Sequence, residues 1–174
     1  MIYEKIQNVV ALYKLDDSIR RTLEKAADDG NDLCKYAIDG MDRFQLSLIN
    51  ICLKEKLDVT QLNNIQLSYE QMNELLSGMQ KGVDVSSFND VTLTPIEMYA
   101  ATVAKLTSKN TKKYFLEDFN DDQLYEILVG IENGLDVSSY SDVSITANDM
   151  ESKRRQLEFE AGINQNSLQK LDTF

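Results

Sequence analysis

The sequence has no histidine, no tryptophan, two cysteines and one proline in 174 residues. Without histidine there is no Ser-His-Asp or Cys-His nucleophile pair and no imidazole ligand for zinc. Cys34 and Cys52 fall short of a four-thiolate metal site. The opening MIYEKIQNVVALYK lacks a continuous apolar leader, so both thiols read as reduced and cytosolic. No run approaches the roughly 18 apolar residues of a membrane span. Basic residues are also scarce, 18 Lys and Arg against 29 Asp and Glu, for a formal charge of −11. That balance opposes direct binding to a nucleic-acid backbone, which requires Lys and Arg to neutralise phosphates. The expectation is an acidic cytoplasmic protein that does not engage a membrane. Its 43% hydrophobic content suffices for a single domain over 1–174.

What the chain does have is an internal period. VDVSSFNDVTLT at Val83–Thr94 returns as LDVSSYSDVSIT at Leu135–Thr146, and extending the match over Gln71–Met98 and Gln123–Met150 gives 13 identities in 28 positions. LDVTQLNNIQLSYEQM at Leu57–Met72 precedes the first of these by 26 residues, which is the true repeat length. About six copies follow an N-terminal helix at 1–15. Repeats occupy 16–145, and a C-terminal capping repeat with its tail occupies 146–174.

The columns of the repeat translate into helix chemistry. Asp16, Asp42, Ser68, Thr94, Asn120 and Thr146 are all preferred N-caps. Three residues later stand Gln45, Gln71, Glu97, Gln123 and Asp149, at the spacing of a capping box; Ile19 breaks the rule in the first copy. Pro95 follows Thr94 at the first helical position, where a missing amide hydrogen costs nothing. Apolar residues at cap+4, +7, +11 and +15, such as Met72, Leu75, Met79 and Val83, form one buried stripe. Gly30, Gly82 and Gly134 mark left-handed helix ends, with Lys56 and Ser108 at the equivalent sites. A small column, Ala26, Cys52, Gly78, Ala104 and Gly130, is expected to face the next repeat.

After each helix comes Asp32, Asp58, Asp84, Asn110 or Asp136. A large side chain follows at Tyr36, Leu62, Phe88, Tyr114 or Tyr140. This is the pattern of a capped turn of 3₁₀ or α helix whose apolar members insert beneath the main helices. Leu67, Leu93, Phe119 and Ile145 lead into the next cap as candidate hydrophobic staples. The fold expected is all-α, a small α-solenoid or compact helical array. A leucine-rich repeat is disfavoured because Leu62, Phe88 and Tyr140 stand where its asparagine ladder belongs. At the last copy, Lys153, Arg154 and Gln156 replace apolar or small residues, and Lys153, Arg154 and Arg155 are expected to form a solvated capping face.

GLDVSSY preceded by QLYEILVGIEN resembles the short-repeat proteins of Firmicutes and their mobile elements, whose units pair a Gln-Met helix with Gly-Leu-Asp-Val-Ser and an aromatic. The resemblance covers roughly 45–150 and lapses around 105–113. It implies a modular, non-catalytic repeat protein and carries over no site residue.

Acidic clusters supply no metal site by pattern. Asp118, Asn120 and Asp122 match the start of a calcium loop, but Gln123 and Val129 replace its glycine and its bidentate glutamate. Asp28, Asp29, Asn31 and Asp32 surround a helix end, where helical and capping roles account for part of the cluster. Tyr36, Tyr114 and Tyr140 lack the basic companions of a base-stacking groove. Ser87, Asn89, Asp90, Ser139, Ser141 and Asp142 are candidate surface positions. No catalytic, cofactor-binding or metal-ligating residue is nominated. The leading expectation is a non-enzymatic protein–protein interaction module, with homo-oligomerisation left open. The alternative is an acidic inhibitor that mimics nucleic acid on a DNA- or RNA-processing protein.

Overall fold

The computed structural model describes residues 1–163, and among these every regular element is helical. The main helices are α1 (Ile2–Tyr13), α2 (Asp17–Asp28), α4 (Arg43–Lys54), α5 (Tyr69–Gln80), α6 (Pro95–Thr107), α7 (Asp121–Glu132) and α8 (Ala147–Glu160); a short α3 (Cys34–Ile38) lies between α2 and α4. No helix among the described residues is long and apolar enough to cross a membrane.

From α2 onward each main helix begins where its cap chemistry places it. Asp16, Asp42, Ser68, Asn120 and Thr146 accept from amides of the first turn. Thr94 does the same for α6, taking the Glu97 amide at 3.4 Å while the Glu97 carboxylate accepts the Thr94 amide at 2.7 Å. The helices stop in left-handed backbone. Gly82 lies at φ 77°, where a Cβ is penalised, and Lys56 and Ser108 adopt φ 58° and 57° in spite of theirs. The Val83 amide then reaches back to the Gly78 carbonyl at 2.9 Å, as in a Schellman motif.

The expected short turns are 3₁₀ at Val59–Gln61, Ser86–Phe88, Lys112–Leu116 and Val137–Ser139, and α-helical at α3. Asp58, Asp84 and Asp136 cap them through the amides of Thr60, Ser86 and Ser138, each at 3.0 Å. A second turn in the lead-in is closed the same way by Asn64, Asp90 and Asp142. The strings LDVT and LDVS are therefore capped turns, not strands.

Backbone contacts gather into two compact units, Met1–Met98 and one beginning at Tyr99, with the boundary inside α6. In the first unit α1 packs on α2 and α3, α2 on α4, and α4 on α5. Its core includes Ile6, Leu23, Leu46, Ile49, Met72 and Leu75. In the second, α7 packs on α8. Ile127, Leu128, Tyr140 and Met150 are fully buried there.

Candidate interaction surface

Most recurrent polar residues are occupied inside the fold. The N3 glutamine has two functions. Its side-chain oxygen accepts the amide of its own cap: Gln45 from Asp42 at 3.0 Å, Gln71 from Ser68 at 2.7 Å and Gln123 from Asn120 at 3.0 Å. Its amide nitrogen donates to the lead-in of the following repeat. Gln45 bonds the Leu67 carbonyl at 2.8 Å, Gln71 those of Val91 and Leu93 at 3.1 and 2.7 Å, and Gln123 those of Val143 and Ile145 at 3.2 and 2.7 Å. All three glutamines are buried. Glu97 holds the same position without the amide NH2 that makes the second bond in the glutamines.

A second inter-repeat rung joins the C-cap of one helix to the last turn of the next. Asp29 accepts from Lys54 at 3.2 Å, Glu55 from Gln80 at 2.9 Å, and Asn133 donates to Glu158 at 2.8 Å. Asp29 also accepts from Asn50 at 2.9 Å, and Asn31 donates to the same Asn50 at 2.7 Å. Asp28 accepts from the Tyr3 hydroxyl, and Asp32 pairs with Lys5 while capping Cys34. The acidic cluster around Gly30 is thus knitted to α1 and α4. Among the described residues, no group of three or more His, Cys, Asp or Glu side chains has the arrangement to hold a metal ion. In the calcium-like string, Asn120 and Gln123 are spent on the capping box of α7.

Two expectations need correction. The small column does not simply face the next repeat at Gly130. At Gly130 a Cβ would stand 1.9 Å from Tyr140 Oη and 2.8 Å from Val137 Cγ1, both from the turn that follows α7 in the same copy. The missing methyl makes room for the repeat's own aromatic ring. The second concerns Arg154, which is not on a solvated face. It is 7% exposed and donates to Glu126 at 2.7 Å and Glu158 at 2.6 Å. Burial pulls the Arg154 guanidinium down, but the two carboxylates outweigh it and leave it raised. Lys153, Arg155 and Gln156 do lie exposed, and Arg155 pairs with Glu151.

Tyr140 and Tyr114 are core residues and offer no stacking platform, and Tyr36 is half-buried. Cys34 and Cys52 are free and buried, and burial pushes each thiol up to about 11. Of the candidate surface positions, Ser87, Asp90, Ser139 and Asp142 are exposed and Ser141 is half-buried. Asn89, also half-buried, donates to the Gln61 carbonyl at 2.7 Å.

An apolar edge lies exposed at the start of α4 and α5. Phe44 is 51% exposed and Tyr69 40%, yet their rings meet edge-on with centroids 5.9 Å apart. The Arg43 guanidinium lies 4.3 Å from the Phe44 centroid, and Ile65, four residues before Tyr69, is 53% exposed. Sequence reasoning passed over this pair because neither residue belongs to a recurrent column. The available signal was the departure itself: the Phe44 position is polar in four of the five other copies, at Ser18, Glu70, Asp122 and Asn148, and Ile96 in the fifth. No protein-family model, curated protein or solved structure matches the chain.

Proposed function

We propose that this chain is a non-enzymatic helical-repeat scaffold that binds a protein partner through the Phe44–Tyr69 edge. The observation that carries this reading is the paired, solvent-exposed rings on consecutive repeats, with Arg43 stacked on one of them. Aromatic and arginine side chains are the types enriched at binding hot spots, and an exposed apolar cluster in a chain this rich in charge needs a reason. The structural employment of nearly every repeated Asp, Asn and Gln supports the same reading, since it leaves no recurrent carboxylate set aside for chemistry. The resemblance to repeat proteins of Firmicutes and their mobile elements agrees with a modular cytoplasmic role.

The test is affinity capture from a lysate of the source organism, with wild-type protein and a Phe44→Ala/Tyr69→Ala variant as baits, at low and high salt and with competing DNA. The expected result is a salt-resistant partner, indifferent to DNA, that the variant fails to recover. Retention of that partner by the variant rules out the edge. Recovery instead of basic nucleic-acid enzymes, released by salt or DNA, replaces the scaffold with an acidic inhibitor.

A further inference from the structure

Between Glu97 and Glu117 the chain carries no carboxylate and four lysines, Lys105, Lys109, Lys112 and Lys113. This stretch belongs to the copy that departs most from the repeat, and its departures share one sign. Asn110 replaces the aspartate that caps the short turn at Asp32, Asp58, Asp84 and Asp136, and Leu116 replaces the carboxylate of Asp90 and Asp142. An acidic protein has thus removed its own negative charge at one place while adding positive charge there.

That place is concave. A cavity of about 520 Å³ is lined by Lys109, Asn110 and Lys113 together with Leu135, Ser138 and Ser141. Its volume falls within the roughly 300–1,000 Å³ typical of small-molecule sites. Lys113 Nζ lies 4.5 Å from the Tyr114 ring centroid, so its ammonium sits over a buried aromatic at the cavity wall. Asp136, also at the wall, is turned onto the Ser138 amide at 3.0 Å. Its carboxyl is held below the usual range first by that amide and the Ser138 side chain, with the positive charge of Lys109 adding to the effect.

We propose that this cavity binds a small, hydroxyl-bearing organic phosphate, with the phosphate on Lys109 and Lys113 and the body between Leu135 and the serines. A phosphate monoester carries about −1.5 to −2 charges near neutral pH, which two ammonium groups match. Asp136 accepts from a ligand hydroxyl, while Ser138, Ser141 and Asn110 donate or accept. The overall charge selects against a polymer: a nucleic acid extends beyond the cavity into the field of a −11 chain. A small ligand samples mainly the charges within a Debye length, about 8 Å at physiological salt. This site is independent of the aromatic edge on α4 and α5.

The experiment uses the full chain and calorimetric titration with glucose 6-phosphate, adenosine monophosphate, inorganic phosphate, and the unphosphorylated glucose and adenosine. Amide shifts at Asn110 and Ser138 locate the site. Saturable binding of at least one of the two organic phosphates is expected, weakened about tenfold or more in Lys109→Ala/Lys113→Ala and changed less than about twofold in the control Lys153→Ala. Asn110→Asp, which restores the aspartate of the other copies, also weakens it. All these side chains are exposed, and an unchanged far-UV circular dichroism spectrum verifies the fold. The proposal is overturned if neither organic phosphate saturates. It is equally overturned if inorganic phosphate or the unphosphorylated bodies bind as tightly, or if both lysine variants weaken binding alike.

Discussion

Tyr140 buries a whole phenol ring in a copy whose main helix is only a few residues away, and Gly130 makes that feasible by presenting bare backbone where its hydroxyl arrives. The hydroxyl donates to the Glu126 carbonyl at 3.3 Å, and burial raises its pKa well above the usual value. In an open helix Gly→Ala gains about 1 kcal/mol. Here the new methyl overlaps a buried ring, so Gly130→Ala is expected to destabilise by about 1–3 kcal/mol in urea unfolding. The loss should shrink in a Tyr140→Phe background, which removes the overlapped oxygen; an unchanged loss would refute the steric account. Gln71 is a second residue whose neighbours fix its identity. Gln71→Glu keeps the acceptor for the Ser68 amide but removes the donors to the Val91 and Leu93 carbonyls. A cost of about 1–3 kcal/mol follows from leaving a partly buried acceptor pair unmet. The exposed control Gln156→Glu should shift the unfolding midpoint little.

At the level of the element, α8 is the instructive helix. Its inward face is Met150, Arg154 and Glu158, and Arg154 is held between Glu158 and Glu126 of α7. Removing one partner from a buried ion network costs about 3–5 kcal/mol, because the remaining charges lose their compensation. Arg154→Met is therefore expected to lower stability by that order in denaturant titration. Adding Glu126→Leu and Glu158→Leu should recover part of it, whereas no recovery would mean the arginine stem, not its charge, matters. The caps, the left-handed helix ends and the short turns were all readable from the sequence, because each depends on residues two to five positions apart. Lys153 and Gln156 were readable too, as polar substitutions at apolar columns. Arg154 was not, since its burial is decided by Glu126, 28 residues earlier, which reads in sequence as one more surface acid. The second bond of each N3 glutamine was hidden for the same reason: its acceptors lie 20 or 22 residues downstream. The exposed edge at Phe44 and Tyr69 escaped because column reading averages away residues that do not recur.

For the molecule as a whole, acid pH is the relevant stress. Asp58 is held below its ordinary 3.8 first by the Thr60 hydroxyl, and Asp90, Asp136 and Asp142 first by the amides of Thr92, Ser138 and Ser144. Because their folded pKa values are depressed, the unfolded chain binds more protons in the window between the two states. The stability they contribute is present above the unfolded value and disappears as pH falls through the folded one. The urea midpoint is thus expected to hold from neutrality to about pH 5 and to fall below about pH 4. Asp58→Asn together with Asp136→Asn should flatten that fall, and an identical profile would show that other carboxylates govern it. The glutamine bridge also has a genetic consequence. The copies that carry Gln45, Gln71 and Gln123 each supply donors to their successor, so the join has a direction, like a plug and its socket. An in-frame duplication of one glutamine-bearing 26-residue period brings one plug and one socket together and leaves neither empty. An insertion of half a period separates them. Copy number in such a chain is free to drift by whole periods through unequal recombination, while its phase is locked.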